Sequence, residues 1–398
     1  MQQSSREFDL LIYGATGYTG RLVAQEWMRA IAGTGLRWGL MGRDAGKLAA
    51  VRDALGAGAD VPILVADSSD PASLERAAAL TASVLTTVGP YQLYGEQLLA
   101  ACVRSGTDYL DLSGEPAWMA QMIAKYEGDA SKTGARILFS CGFDSIPFDA
   151  GVWFLQDQAI RAFGKPLQRV RGRVRTMRGS FSGGTQATLK HTQSASRSDG
   201  SVLADLRNPF CLTPGFVGPA QPDDRKPSFD QAVDSWVTPF VMAPINSRNV
   251  HRTNFLLGHP YGTDFAYDEM LMTGQGEKGQ QLAERLASHP GLPGPERAPG
   301  EGPSDKELVE GFYDLLFVGT TVDGRELRAS VRGDVDPGYA STARMIVQSA
   351  LCLGMCRANG PRGGIWSPVA ALGAGLIERL QSDAGMIFGM EGELDRDI

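Results

Sequence analysis

The segment GATGYTG, residues 14–20, constrains the fold more than any other part of the chain. Its three glycines are spaced three residues apart, after the apolar run 8–14 and before a helical pattern over 18–31. In a strand–turn–helix unit, such glycines permit a tight turn, close approach of a pyrophosphate and close helix–strand packing. The helix N-terminus adds N–H donors and partial positive charge. The pattern predicts a dinucleotide cofactor held by Gly14, Thr16, Gly17, Tyr18 and Gly20.

The first 150 residues alternate between short apolar runs and helical patterns. This alternation is typical of a doubly wound parallel sheet covered by helices on both faces. Beyond residue 150 the pattern has period two, as in half-exposed strands of an antiparallel or mixed sheet, and RNVHRTNFLLG (248–258) is predicted as such a strand. A chain of 398 residues is too long for one hydrophobic core. We predict an α/β protein with domains at 1–150 and 151–335 and a helical segment at 336–398.

The end of the second predicted strand bears on which nucleotide binds. An NAD site usually has Asp or Glu there to hold the ribose 2′-hydroxyl. This chain has Arg43 there, with Lys47 one helical turn further on, and an arginine offers a planar fork to a 2′-phosphate. We therefore expect NADP(H), with a solvated arginine at a strand end as the alternative. Asp67, after the third strand, either contacts the adenine or makes a cap or loop hydrogen bond.

Later predicted strands end in polar residues at the same edge, where doubly wound sheets bind their ligands. Gly89 and Pro90 follow the fourth strand and would let the backbone pass near the cofactor. Tyr91 is the candidate proton donor at the reaction centre, with ordinary packing as the alternative. Asp144 and Ser145 are further catalytic candidates, and fixing the loop is the alternative role of Asp144.

Arginines alternate along one predicted strand of the second domain, at 169, 171, 173 and 175. Arg171 and Arg173 are predicted to bind an anionic part of the substrate or of its carrier. The alternative is a charged edge strand that discourages aggregation. The glycines and hydroxyls that follow suit a loop facing the cofactor crevice, so Gly183 and Thr185 are predicted to contact the substrate.

Composition and missing motifs exclude several classes of protein. A net charge of −7 argues against a general nucleic-acid binder. The five cysteines form no CxxC pair and no metal-ligand spacing, which indicates reduced thiols, an intracellular protein and no metal site. Neither a signal peptide nor a membrane-length apolar run is visible, so we expect a cytoplasmic protein. The YxxxK pair of short-chain dehydrogenases is absent, as are HExxH, GxSxG and a P-loop lysine.

Six segments together resemble a known family, and they keep its order through nearly the whole chain. They are GATGYTGRLVAQ, GRDAGKL, VGPYQLYGEQLLAACVRSGTDYLDLSGE, CGFDSIPFDAG, SGGT and the tail DPGYASTARM…GGIWSPVAALG. The chain resembles the saccharopine dehydrogenase-like oxidoreductases, most nearly their trans-acting enoyl reductase branch. The resemblance implies an N-terminal Rossmann domain, an inserted α+β domain and C-terminal helices that return to the first domain. It assigns cofactor binding to Gly14, Gly17, Gly20 and Arg43 and carries over no catalytic residue.

The preferred hypothesis is an NADPH-dependent oxidoreductase that reduces an activated C=C bond of a lipid- or polyketide-like enoyl substrate, either small or carrier-bound. The alternatives are a saccharopine-type C–N dehydrogenase acting on an amino acid, and a non-catalytic NADP(H)-binding scaffold or sensor. The sequence leaves open a homodimer and peripheral contact with a lipid surface. It also leaves open whether residues 206–248 form a tunnel, an interface or a core.

Overall fold

The computed structural model describes residues 6–180, 182, 185, 188, 200–288, 297–298, 300–356 and 360–391. Its first half alternates strands and helices in the predicted way. The elements are β1 (Leu10–Tyr13), α1 (Tyr18–Ala30), β2 (Trp38–Gly42), α2 (Ala45–Ala54), β3 (Ile63–Val65), α3 (Pro71–Leu80), β4 (Ser83–Thr86), α4 (Tyr91–Ser105), β5 (Asp108–Leu110), α5 (Pro116–Thr133), β6 (Arg136–Leu138) and α6 (Ile146–Phe163).

The second half of the chain builds a different sheet. It contains β7 (Arg169–Arg178), α7 (Gly200–Arg207), β8 (Ser228–Asp230), β9 (Ser235–Pro239), α8 (Ala243–Leu256), β10 (Ala266–Gly274), α9 (Gly276–Ser288), α10 (Asp305–Glu310), β11 (Phe312–Thr320) and β12 (Glu326–Gly333). A π-helix (Pro337–Ser341), α11 (Thr342–Met355), β13 (Gly364–Trp366), α12 (Pro368–Asp383) and β14 (Met386–Met390) follow.

Two seven-stranded sheets organise these elements. The first has the order β13-β6-β5-β4-β1-β2-β3 and is parallel throughout. Its central strands are buried on both faces, which explains their near-continuous apolar sequences. The second has the order β14-β12-β11-β7-β10-β9-β8 and is mixed, since β7 and β10 run parallel and its other neighbours antiparallel. The predicted Rossmann sheet with a second α+β layer is thus confirmed.

The last stretch of chain contributes a strand to each sheet. β13 pairs with β6 at the edge of the parallel sheet, and β14 pairs with β12 at the edge of the mixed sheet. The helix before β13, α11, packs on α1 and on α12, the helix between β13 and β14. α6 connects the two halves, because it begins directly after β6 and packs beneath the second sheet. The predicted division at residue 150 therefore falls inside one continuous helix.

One secondary-structure prediction is wrong: residues 248–258 are not a strand but lie mostly in α8. This helix is buried on nearly every side, including polar side chains such as Asn246, Asn249 and Arg252. Each of these finds a partner elsewhere in the chain, for example Glu269 for Asn246 and Ser145 for Asn249. A helix buried all round has no polar face, and so it lacks the 3.6-residue period that identifies a helix in sequence.

Within the described ranges, no helix is long and apolar enough to cross a membrane.

Candidate functional site

The glycine loop between β1 and α1 requires glycine at both of its ends. Gly14 has φ +91°, and a Cβ there would lie 2.7 Å from the Val88 side chain. A Cβ on Gly20 would lie 2.1 Å from the Gly14 carbonyl oxygen, which leaves no room for any side chain. Gly17 starts α1 without a side-chain cap, so the first-turn N–H groups stay available for an anion. The loop is thus shaped to hold a pyrophosphate against the backbone.

The other two predicted loop residues have different environments. The Thr16 carbonyl accepts a hydrogen bond from the Arg21 guanidinium at 3.2 Å. The Tyr18 hydroxyl donates to the Pro303 carbonyl at 2.6 Å, and its ring meets Tyr339 edge-on with centroids 5.3 Å apart. Burial raises the pKa of Tyr18, which keeps this phenol protonated. Tyr18 therefore ties the glycine loop to the second half of the chain.

At the β2 end of the sheet edge, Arg43 is exposed and makes no hydrogen bond or ion pair with a described residue. Asp44 is occupied, because it caps α2 by accepting the Lys47 N–H at 2.9 Å. The Lys47 side chain is exposed nearby. The Asp67 carboxylate accepts from the Ser69 N–H and hydroxyl, both at 2.8 Å, and these bonds lower its pKa. Arg43 and Lys47 are therefore both exposed cationic groups at this edge that a 2′-phosphate could reach, and the charge of Arg43 also acts on Asp67.

A cleft of about 360 Å³ opens at the carboxyl edge of the parallel sheet, between it and the second half of the chain. One wall is largely polar and carries Thr19, Thr87, Ser140, Asp144, Ser182, Thr185, Thr188, Tyr339 and Thr342. Another part is apolar and comes from the second half, namely Leu206, Val241, Met242, Pro244 and Ile245. Of the residues predicted for the site, Gly89, Tyr91, Asp144 and Thr185 line this cleft.

Tyr91 lies at the cleft, but its hydroxyl is held by backbone on both sides. It donates to the Thr86 carbonyl at 3.2 Å and accepts from the Leu112 N–H at 3.1 Å. Burial raises its pKa well above the usual value. Pro90, joined to Gly89 by a cis peptide bond, starts α4, and the Glu115 carboxylate accepts the first N–H groups of that helix. Unlike α1, α4 therefore begins with its N–H groups already satisfied.

The two other catalytic candidates differ in exposure to the cleft. Asp144 faces it, makes no hydrogen bond or ion pair with a described residue, and has its pKa raised to about 7 by burial. Ser145 is buried below and accepts a hydrogen bond from the Asn249 side chain at 2.5 Å. The structure therefore brings Asp144 to the cleft and leaves Ser145 in the packing between α6 and α8.

Tyr339 was missed by the sequence reasoning. It sits in the π-helix, whose N-terminus is capped by Asp336 through the Tyr339 N–H at 2.7 Å. π-helical turns are rare and are frequent at functional sites. The Tyr339 hydroxyl accepts from the Ser182 N–H and lies 2.9 Å from the Thr185 hydroxyl. The signal that could have found this residue is the DPGYAST segment, where Asp-Pro precedes a helical pattern.

The arginine stripe of β7 does not line the cleft. The Arg173 guanidinium is 3% exposed and pairs with Asp230 at 2.7 Å and Asp268 at 2.6 Å. Arg171 lies 4.0 Å from Asp230, and burial is the largest factor that lowers its pKa. The positive charges of this strand are thus balanced by acids of the same sheet. Gly183, the remaining predicted substrate contact, lies outside the described residues.

The glycine loop and Arg43 fit a bound NADP(H). Glycine is required at the two ends of the loop by close backbone contact, the α1 N-terminus has no capping side chain, and Arg43 is available at the end of β2. Gly14, Gly17 and Gly20 would hold the pyrophosphate and Arg43 the 2′-phosphate.

Comparison with known proteins agrees with this geometry. A family model for the saccharopine dehydrogenase NADP-binding domain matches residues 10–138. The chain is 37% identical over 417 residues to a trans-acting enoyl reductase of Mycobacterium tuberculosis H37Rv, covering 98% of this chain and 99% of that protein. It is 36% identical over 410 residues to a trans-acting enoyl reductase of Mycobacterium ulcerans, covering 96% and 97%.

A solved structure supports the fold. Apo saccharopine dehydrogenase (L-Glu forming) from Saccharomyces cerevisiae aligns with a TM-score of 0.52 at 12% identity, over 96% of this chain and 99% of that one. At this identity, the similarity supports the arrangement of the two sheets and not a shared substrate.

Proposed function

Because the chain belongs to the family of trans-acting enoyl reductases, we propose that it catalyses the NADPH-dependent reduction of an enoyl C=C bond. When bound, NADPH supplies the hydride. The chain's own residues hold the cofactor, orient the substrate, exclude water and provide a proton.

The observation that carries this proposal is the two-sided cleft at the sheet edge. Its polar wall presents hydroxyls and a carboxyl group, and its second-domain side presents apolar side chains, of which Val241 and Pro244 are exposed. An acyl substrate has the same two parts, a polar carbonyl end and an apolar chain. Apolar pockets with a few convergent polar groups are the usual form of small-molecule sites. We infer that the acyl chain lies along Met242 and Ile245, with the carbonyl end toward the hydroxyls.

We propose Asp144 as the proton donor. It faces the cleft without a partner among the described residues, and its raised pKa of about 7 keeps a large fraction of the carboxyl protonated near neutral pH. Proton donors work best when their pKa lies near the operating pH. Tyr91, the other candidate, has its hydroxyl proton directed to the Thr86 carbonyl, which favours a role as a fixed wall of the cleft.

The C–N dehydrogenase alternative depended on arginines that bind an anionic amino acid. Since Arg173 is paired with two aspartates and lies away from the cleft, no observation on that strand now favours it. The scaffold alternative predicts nucleotide binding without turnover, and the same assay that tests the reductase distinguishes it.

The test follows NADPH oxidation with enoyl thioesters of increasing chain length. We expect turnover by the wild-type protein and a rate that falls as pH rises above about 7, because the ionised form of Asp144 cannot donate a proton. Asp144→Asn should lose this pH dependence together with about 10²- to 10⁴-fold in kcat. Asp129→Asn is the matched control, since Asp129 is exposed and pairs with exposed Lys132. Nucleotide binding with no turnover of any enoyl substrate would instead indicate a scaffold.

A further inference from the structure

Three groups on the polar wall form a connected set of hydrogen bonds that the function above has not used. They are the Ser182 main chain, the Tyr339 hydroxyl and the Thr185 hydroxyl, and all three residues line the cleft. They come from two distant parts of the chain, the segment after β7 and the π-helix before α11. Their convergence on the cleft is therefore a product of the tertiary fold.

The phenol of Tyr339 is held rigidly in this set. Tyr339 is 3% exposed, and its ring packs edge-on against Tyr18. Its backbone N–H donates a hydrogen bond to the Asp336 carboxylate at 2.7 Å. Thr185 is less buried, and its hydroxyl lies 2.9 Å from that of Tyr339. Thr188 also lines the cleft, and a Cβ on Gly89 would lie 3.8 Å from its hydroxyl. Thr188 thus lies across the cleft from Gly89, which follows the end of β4.

One direction in this set is fixed by the donor present, and the direction between the two hydroxyls is assigned from it. A backbone N–H can only donate, so the Tyr339 oxygen must accept from Ser182. The phenol hydrogen is then available for the Thr185 oxygen at 2.9 Å. Burial raises the pKa of Tyr339, which keeps that hydrogen in place. With its oxygen receiving a hydrogen bond from Tyr339, Thr185 keeps its own hydrogen for an acceptor in the cleft or for the Ser182 hydroxyl, which lies at the longer distance of 3.5 Å.

We propose that the Thr185 hydroxyl donates a hydrogen bond to the carbonyl oxygen of the enoyl substrate, and that Tyr339 positions and polarises it. This inference rests on the proposed enoyl reduction. In that reaction the β-carbon gains a hydride from NADPH, the C=C electron pair moves toward the carbonyl, and the oxygen gains negative charge. The α-carbon then gains a proton, and the charge on the oxygen is removed. A donor fixed at that oxygen stabilises the charged state more than the substrate.

The experiment compares variants of the full-length protein with NADPH and a reactive enoyl thioester. Thr185→Val removes the hydroxyl at nearly constant volume and should lower kcat by about 10²- to 10³-fold, the usual cost of losing one such donor. The KM should change much less, because the interaction strengthens only as charge develops. Thr185→Ser keeps the hydroxyl and should retain most of the activity.

Tyr339→Phe tests the positioning role, and Tyr313→Phe is its matched control. Tyr313 is equally buried, and its hydroxyl bonds to Ser341 at 3.1 Å outside the cleft. We expect Tyr339→Phe to lower kcat by about three- to tenfold, the equivalent of one net hydrogen bond. Tyr313→Phe should leave kcat within about twofold of wild type, at a similar loss of thermal stability.

The outcomes separate this inference from the proposed function. If the wild-type protein turns over no enoyl substrate, the proposed function fails and this inference fails with it. If the wild type is active and Thr185→Val keeps kcat within twofold, the function stands and the inference is overturned. Equal losses in Thr185→Val and Thr185→Ser, or in the two tyrosine variants, would also overturn it, because a hydroxyl-specific role requires them to differ.

Discussion

The close approach of Gly20 to Gly14 makes Gly20→Ala a severe test of the cofactor loop. The added Cβ would lie 2.1 Å from the Gly14 oxygen, far inside the 3.4 Å at which ordinary van der Waals packing begins. The oxygen belongs to backbone that cannot rotate away, so the loop must move by roughly 1 Å. A displacement of this size can lower the rate of an enzyme reaction by about 100-fold where the reaction depends on exact positioning. Overpacking lowers the free energy of unfolding by about 1–3 kcal/mol, and the higher helix propensity of alanine offsets about 1 kcal/mol of this loss.

We expect NADPH affinity to fall much further than stability. The displaced loop can no longer direct its N–H groups at the pyrophosphate, and each such hydrogen bond is worth about 1.5–3 kcal/mol when one partner is charged. The Kd for NADPH should therefore rise at least about tenfold for each hydrogen bond that is broken, as fluorescence titration can measure.

The matched control is Gly128→Ala. Gly128 is exposed in the middle of α5, and a Cβ there meets nothing within 4 Å. That variant should be stabilised by about 0.5–1 kcal/mol with unchanged NADPH affinity, since only helix propensity acts there. If Gly20→Ala binds NADPH as tightly as Gly128→Ala, the loop does not hold the pyrophosphate as we describe.

Two further predictions follow from charged groups. Arg43→Ala should raise the Kd for NADPH by about 10- to 100-fold and leave the Kd for NADH unchanged. The control Arg76→Ala removes an arginine from an exposed ion pair with Asp70 and should alter neither Kd in the same titration. Equal losses of affinity for both nucleotides in Arg43→Ala would contradict a 2′-phosphate contact. Burial raises the pKa of Glu269 from 4.5 to about 8, so the folded state resists its ionisation and wild-type stability should decline between those pH values. In Glu269→Gln, the free energy of unfolding should fall less steeply with pH than in the wild type, by up to about 1.4 kcal/mol per pH unit. Urea unfolding of both proteins at pH 5 and pH 8 measures this difference. Equal pH dependences for the two proteins would contradict the assignment to Glu269.

The cofactor half of the fold was predictable because its signals are local. The glycine spacing and the apolar strands each depend on residues within one βα unit. Parallel strands joined by right-handed crossovers then leave few arrangements for the sheet. The position of Arg43 at the end of β2 follows from the same local order. The predicted alternation of strands and helices over the first 150 residues therefore agrees with the observed sheet, but its edge strand β13 comes from the tail, where only helices were predicted.

The substrate half was less predictable because its polar groups are satisfied over long distances. α8 was mistaken for a strand since its buried amides are bonded to residues such as Glu269 and Ser145. Tyr339 was missed because its meaning comes from Ser182 and Thr185, more than 150 positions earlier in the chain. No periodicity in the sequence records such partners. Only the tertiary structure brings them to one cleft.

The sequence also cannot show which arginines and aspartates are paired with other residues of the chain, because those partners are brought together only by the tertiary structure. Arg43 and Arg173 both belong to strand regions, but two aspartates neutralise the buried Arg173. Arg43 is exposed and makes no hydrogen bond or salt bridge with a described residue, although its charge acts on Asp67. Burial raises the pKa of both Asp111 and Asp144 to about 7. Asp111 accepts hydrogen bonds from Tyr109 and from two backbone N–H groups, so its carboxylate is committed to joining β5 and β6. Asp144 lines the cleft and has no such bonds within the described part of the chain, which is why we propose it, and not Asp111, as the proton donor.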